Sequence, residues 1–237
     1  MYSPRTAGSD TEELVYAIED AFGIQITQDD YFGVSTVGDL HRLILSKLPE
    51  PNSKRCLTSA AFYRLRRGIV ETLGVERRSI CPATPLEDVL PREGRRRAWR
   101  RLEAAVDLPF LELELPSTMA LALLVLGIAL SVVPGVCFGL SGAWIGLLFF
   151  VGLLAFSRLL ILLASPFAVC FPNNAATIGD LARDLAAINH GRLAAETGVS
   201  NGQEVWHSLV RLVMLISRVE LESVTPEASI LDDLGID

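Results

Sequence analysis

The sequence is poorest in what most enzymes display. It has three histidines, His41, His190 and His207, and none has a nucleophile or carboxylate at an informative spacing, so each reads by default as a surface or boundary residue. Gly-rich phosphate loops, Gly-x-Ser-x-Gly elbows and metal-ligand spacings are all missing, which removes the motif-bearing hydrolases, nucleotide-binding enzymes and metal sites. Asp29-Asp30 and Asp232-Asp233 are the nearest approach to a carboxylate pair and read more simply as acidic loop residues. Cysteines 56, 81, 137 and 170 form no C-x-x-C unit, which leaves zinc and dithiol redox chemistry unsupported and predicts buried or lipid-facing free thiols. Alternating strand patterns are scarce as well, since "LELEL" (111–115) is too short to carry a sheet.

Charge is the most unevenly missing property. No charged residue occurs between Glu114 and Arg158, nor from Leu159 to Gly179. Met119 to Val136 would give about 27 Å of helix at 1.5 Å per residue, close to the ~30 Å of a hydrocarbon core. "PGVCFGLSG" then supplies turn residues, and 143–163 supplies a second apolar run with Trp144 at its edge and Arg158 able to snorkel near its end. The pattern predicts a transmembrane hairpin over 117–171. Arginines 92, 95, 96, 97, 100 and 101 lie just upstream, so the positive-inside rule predicts a two-span, multi-pass membrane localisation with both termini cytoplasmic and membrane lipid as a partner. Nucleic acid is not an expected partner, and the opening residues lack the apolar core of a cleavable signal peptide.

What is present is repetition. "STVGDLHRLI" (35–44) recurs as "ATIGDLARDL" (176–185), and "GVERRSICPATPLEDVL" (74–90) recurs as "RVELESVTPEASILDDL" (218–234). Helical spacing accompanies both: Leu14, Ile18 and Phe22; Leu40, Leu43, Ile44 and Leu48; Ile178, Leu181, Leu185 and Ile188; Val205, Leu209, Leu212, Val213 and Ile216. The expected fold class is all-α, in small helical bundles beside the two-helix transmembrane hairpin. Charge follows the repeats: residues 1–50 hold nine acids against three bases, 201–237 seven against two, and 51–116 thirteen bases against nine acids. The two acidic ends, brought together, would steer basic partner proteins.

The segment "ELVYAIEDAFGIQITQDDYFGVSTVGDLHRLILSKL" (13–48) resembles the acyl carrier protein family in its second helix ending Phe-Gly-Ile, its Ile-Thr loop with Asp29 and Asp30, and Thr-Val-Gly-Asp-Leu opening the last helix. Residues 204–237 are similar to that family's first helix and loop. The resemblance implies a rotated order, with residues 1–52 supplying the second to fourth helices and 201–237 the first helix and loop. Residues 56–115 resemble first and second helices and 172–200 a last helix, with 117–171 standing where a short third helix belongs.

The family carries 4'-phosphopantetheine on a serine, and here the aligned positions are Gly8 and Arg92. No cofactor is therefore expected, and the chain reads as a non-enzymatic, membrane-anchored carrier-like protein that recruits or presents partners of acyl, lipid or peptide-type assembly. Ser9 is the one candidate attachment residue. It lies beside the aligned site and also opens a Ser-x-x-Glu capping box with Glu12. The alternatives are a true carrier modified near Ser9 or on a continuation past Asp237, and an oligomeric membrane scaffold in which a second copy is the partner.

Overall fold

The computed structural model describes residues 10–48, 56–119, 121–122, 168–172, 175–198, 201–217 and 219–236. The chain divides into two compact units, Met1–Glu112 with Ala175–Asp237, and Leu113–Asn174. The described residues are all-α, joined by turns and three isolated β-bridges.

In the first unit the helices are α1 (Asp10–Phe22), α2 (Gln28–Tyr31), α3 (Val37–Lys47), α4 (Leu57–Leu73), α5 (Leu86–Val89), α6 (Arg95–Val106), α7 (Ile178–Ile188), α8 (His190–Thr197) and α9 (Gly202–Ser217). Short 3-10 turns occupy Arg77–Ser79 and Leu221–Ser223. Each long helix buries the apolar stripe that its 3.6-residue period creates. On α4 the stripe is Leu57, Ala61, Leu65 and Ile69, and on α9 it is Val205, Leu209, Leu212 and Val213. Helices α3 and α7 match too: Val37, Leu40 and Ile44 on α3, and Ile178, Leu181 and Leu185 on α7, are all fully buried.

Two modules follow from these packings. The middle module joins α4, α5, α6 and α7; the terminal module joins α1, α2 and α3 to α9 and residues 219–236. Helices α7 and α9 pack together and link them. In the second unit Glu114 and Cys170 pair antiparallel, with N–H to C=O distances of 2.9 and 3.0 Å in the two directions.

Several expectations are corrected. Among the described residues no helix is long and apolar enough to cross a membrane. This stands against the two-span transmembrane hairpin, and with it the membrane localisation and the cytoplasmic placement of both termini. Most of the apolar stretch that carried the expectation, residues 120 and 123–167 with Trp144 and Arg158, lies outside the described residues. The thiols also differ: Cys56 and Cys81 are free but exposed, Cys170 is half-buried, and Cys137 lies outside the described residues. His190 is fully buried, not at the surface, because Phe22 of α1 covers its ring at a centroid distance of 4.6 Å.

Candidate functional site: two equivalent seams

A helix begins with backbone N–H groups that have no partner inside it. At the start of α3 those donors are met from the far end of the chain. Val37 N–H donates to the Ala228 carbonyl at 3.1 Å and Gly38 N–H to the Pro226 carbonyl at 2.9 Å. Asp39 N–H donates to Thr36 Oγ1 at 3.1 Å, while the Asp39 carboxylate accepts from Thr36 N–H at 3.0 Å, closing a capping box. Ile230 N–H returns a bond to the Ser35 carbonyl at 3.0 Å, completing the bridge between Thr36 and Ser229.

The start of α7 repeats this bond for bond. Ile178 N–H donates to the Thr84 carbonyl at 3.0 Å, Gly179 N–H to the Pro82 carbonyl at 2.8 Å, and Leu86 N–H to the Ala176 carbonyl at 2.9 Å. Thr177 and Asp180 form the same capping box. The recurring Thr-x-Gly-Asp-Leu thus has a mechanical reading: Thr caps, Asp completes the box, and Gly admits the loop. A Cβ on Gly38 would sit 2.7 Å from the Pro226 oxygen, and one on Gly179 2.8 Å from the Pro82 oxygen, closer than real Cβ atoms come to any backbone oxygen.

Helices α1 and α6 agree as well. Glu19 Oε1 accepts from Ile26 N–H at 2.7 Å, and Glu103 Oε1 from Phe110 N–H at 3.1 Å. Both helices end in a left-handed residue, Gly23 at φ 66° and Asp107 at φ 52°. Aspartate is among the few side chains that tolerate that region.

Electrostatics separate the seams. On the terminal one, Lys47, whose Nζ lies 2.6 Å from Asp30, together with the Thr27 hydrogen bonds, holds the Asp30 carboxyl well below the usual range. Hydrogen bonds from the backbone and side chain of Thr36 and the backbone of Ser35 lower Asp39 to about 2. Asp29, Glu220, Glu222, Glu227, Asp232 and Asp233 are all exposed. Among them stand three uncovered apolar side chains, Leu221 at 55%, Phe32 at 92% and Leu231 at 59% exposure, the last two on either side of the Ile230 to Ser35 bond. On the middle seam burial pushes Asp180 upward, but bonds from Thr177 and Arg183 outweigh it and its carboxyl ends below the ordinary value.

Where the modules meet, two polar groups are buried without full partners. Asp184, on α7, is paired through Oδ1 with Arg211 Nε of α9, while Oδ2 has no hydrogen-bond partner; burial raises its carboxyl despite the arginine. His190 Nδ1 lies 2.8 Å from Ser208 Oγ, Nε2 is unpartnered, and burial lowers the imidazole to about 4. The Ser208 and His190 pair is sealed from solvent, at 5% and 0% exposure, and lies within the core.

Ser9, Gly8 and Asp237 lie outside the described residues. Thr11 Oγ1 donates to the Ile236 carbonyl at 3.3 Å, so the start of α1 and the last loop share one place. The six-arginine run is split by its helix: Arg95 is buried, giving Nε to the Leu90 carbonyl and pairing with Glu87, while Arg97, Arg100 and Arg101 are exposed. Sequence reasoning missed a second basic cluster, Arg66, Arg67 and Arg77, whose only signal was two Arg-Arg pairs flanking Gly74. Among the described residues no group of His, Cys, Asp and Glu is arranged to hold a metal ion. No protein-family model matches the chain, nor does any curated protein or solved structure.

Proposed function

We propose that this is a non-enzymatic, carrier-like docking protein whose terminal module recruits or presents partners of acyl, lipid or peptide-type assembly. One observation carries the reading: Phe32 and Leu231 stand uncovered on the hydrogen-bonded seam, on segments that also carry the exposed acids Asp29, Glu227, Asp232 and Asp233. Isolated exposed apolar side chains are ordinary. Two on one acidic seam fit a basic partner that anchors on apolar contact and is steered by charge. The module pattern supports a carrier-like relation, since first helix, long loop, second helix and last helix assemble in both modules, in rotated chain order in one of them.

The test uses a phosphopantetheinyl transferase, a basic enzyme that recognises carriers. The full chain is expected to bind it and, with coenzyme A present, to gain no mass. Asp29→Lys with Glu227→Lys is expected to weaken binding about tenfold, mainly through the association rate, and Glu112→Lys to leave it unchanged. Absence of binding would remove the docking reading, and a mass gain localised to Ser9 would replace it with a true carrier.

A further inference from the structure

A pocket of about 320 Å³ opens on the middle module between α4 and the 3-10 turn at Arg77–Ser79, lined by Tyr63, Arg66, Arg67, Val70, Glu71 and Arg77. Its construction begins with the helix period. Leu65, Gly68 and Ile69 face the core, which turns Tyr63, Arg66, Arg67 and Val70 to the outer face of α4. Gly74 ends the helix in the left-handed region at φ 68° and turns the chain back, so that Arg66 reaches the Arg77 carbonyl with Nε at 3.1 Å and Nη2 at 2.5 Å. Those two bonds fix one guanidinium and bring Arg77 beside it.

Three guanidinium groups therefore share a small concavity with a single carboxylate. Glu71 neutralises none of them by contact: no ion pair or hydrogen bond joins it to Arg66, Arg67 or Arg77, and the side chains of Arg67 and Arg77 make neither kind of bond to any described residue. Such an array leaves several forked N–H donors without a partner among the described residues and a local excess of positive charge, the arrangement that a tetrahedral dianion relieves. The volume falls at the small end of ligand sites, enough for a phosphate group and a compact organic tail, for which the Tyr63 ring and Val70 offer a wall.

The terminal module shows that the fold does not force this feature. At the positions of α9 that correspond to Arg66, Arg67 and Val70 stand Val210, Arg211 and Met214. Val210 is buried, and Arg211 is engaged by Asp184. The pocket belongs to the middle module alone.

We infer that the α4 arginine pocket is a binding site for a small phosphate monoester, independent of the carrier-like reading. Calorimetric titration of the full chain with inorganic phosphate and with phenyl phosphate tests it. Both are expected to bind saturably at one site, phenyl phosphate at least threefold tighter. Arg67→Ala with Arg77→Ala, both exposed positions, is expected to weaken binding at least tenfold with helical content unchanged, whereas the charge-matched Arg100→Ala with Arg101→Ala has no effect. Tyr63→Ala is expected to abolish the preference for the phenyl ester and leave inorganic phosphate binding in place. Non-saturable binding, equal loss in the two double variants, or no preference for the ester would overturn the inference.

Discussion

The terminal and middle modules share a skeleton and differ in almost everything they expose. Both anchor a loop to the start of a last helix through three backbone hydrogen bonds and a Thr–Asp capping box, and both need glycine where the loop carbonyl meets the helix. Outside that seam they diverge. In the middle module Gly68 lets α6 approach so closely that a Cβ there would lie 2.7 Å from Val106 Cγ2, whereas the corresponding residue of α9 is the buried Leu212. One module presents acids around Phe32 and Leu231, the other arginines around a cavity. The comparison teaches that a handful of backbone-directed residues suffices to hold the shared arrangement, which leaves the outer faces free to take up opposite charges.

The largest expected effect breaks the link between modules. Arg211→Ala leaves Asp184 as a buried, uncompensated carboxylate and should cost about 4 kcal/mol in urea unfolding, whereas Arg183→Ala, which removes an exposed pair with Asp180, should cost under ~0.5 kcal/mol. The second effect is pH dependence at the same junction. His190 titrates near 4 when folded and near 6.5 when unfolded, so as pH falls the unfolded chain takes up the proton first. Its contribution is intact above pH 6.5 and is lost between 6.5 and 4, on the order of 3 kcal/mol at ~1.4 kcal/mol per pH unit. Asp184, raised by burial, works in the opposite sense and offsets part of this. Chemical unfolding at a series of pH values should show the decline, and His190→Gln should remove it.

Two smaller predictions sharpen the equivalence of the seams. Gly38→Ala and Gly179→Ala should each cost about 2 kcal/mol, as expected for overpacking against a backbone that must shift, and the two costs should agree within ~1 kcal/mol. Thr36→Ala and Thr177→Ala remove matching caps and should each cost about 1 kcal/mol. A large cost at one seam with none at the other would break the comparison.

How far the sequence announced this depends on the kind of interaction. The all-α class was legible because Leu40 with Ile44, and Leu181 with Leu185, repeat at helical spacing and are buried there. The recurrence of Thr-Val/Ile-Gly-Asp-Leu was legible as well, and its Thr and Asp serve a local capping need, whereas its Gly answers to a carbonyl distant in the chain. Burial of His190 was not, since it depends on Phe22, which lies 168 residues away in the chain. Nor was the arginine pocket: Arg66 and Arg77 look like ordinary solvated charges until Gly74 folds the turn back on α4. The long uncharged block read most loudly of all, and the membrane hairpin drawn from it is the expectation that did not stand, while Ser9 lies outside the described residues.

The central claim is that the last loop of the chain completes the module begun by its first helices. Amide hydrogen exchange on the full chain and on a chain ending after Ser217 tests it most directly. The account predicts that removing the loop strips protection from Val37 and Gly38, whose partners are the Ala228 and Pro226 carbonyls, while Ile178 and Gly179 keep theirs from Thr84 and Pro82. Unchanged protection at Val37 and Gly38 would contradict it.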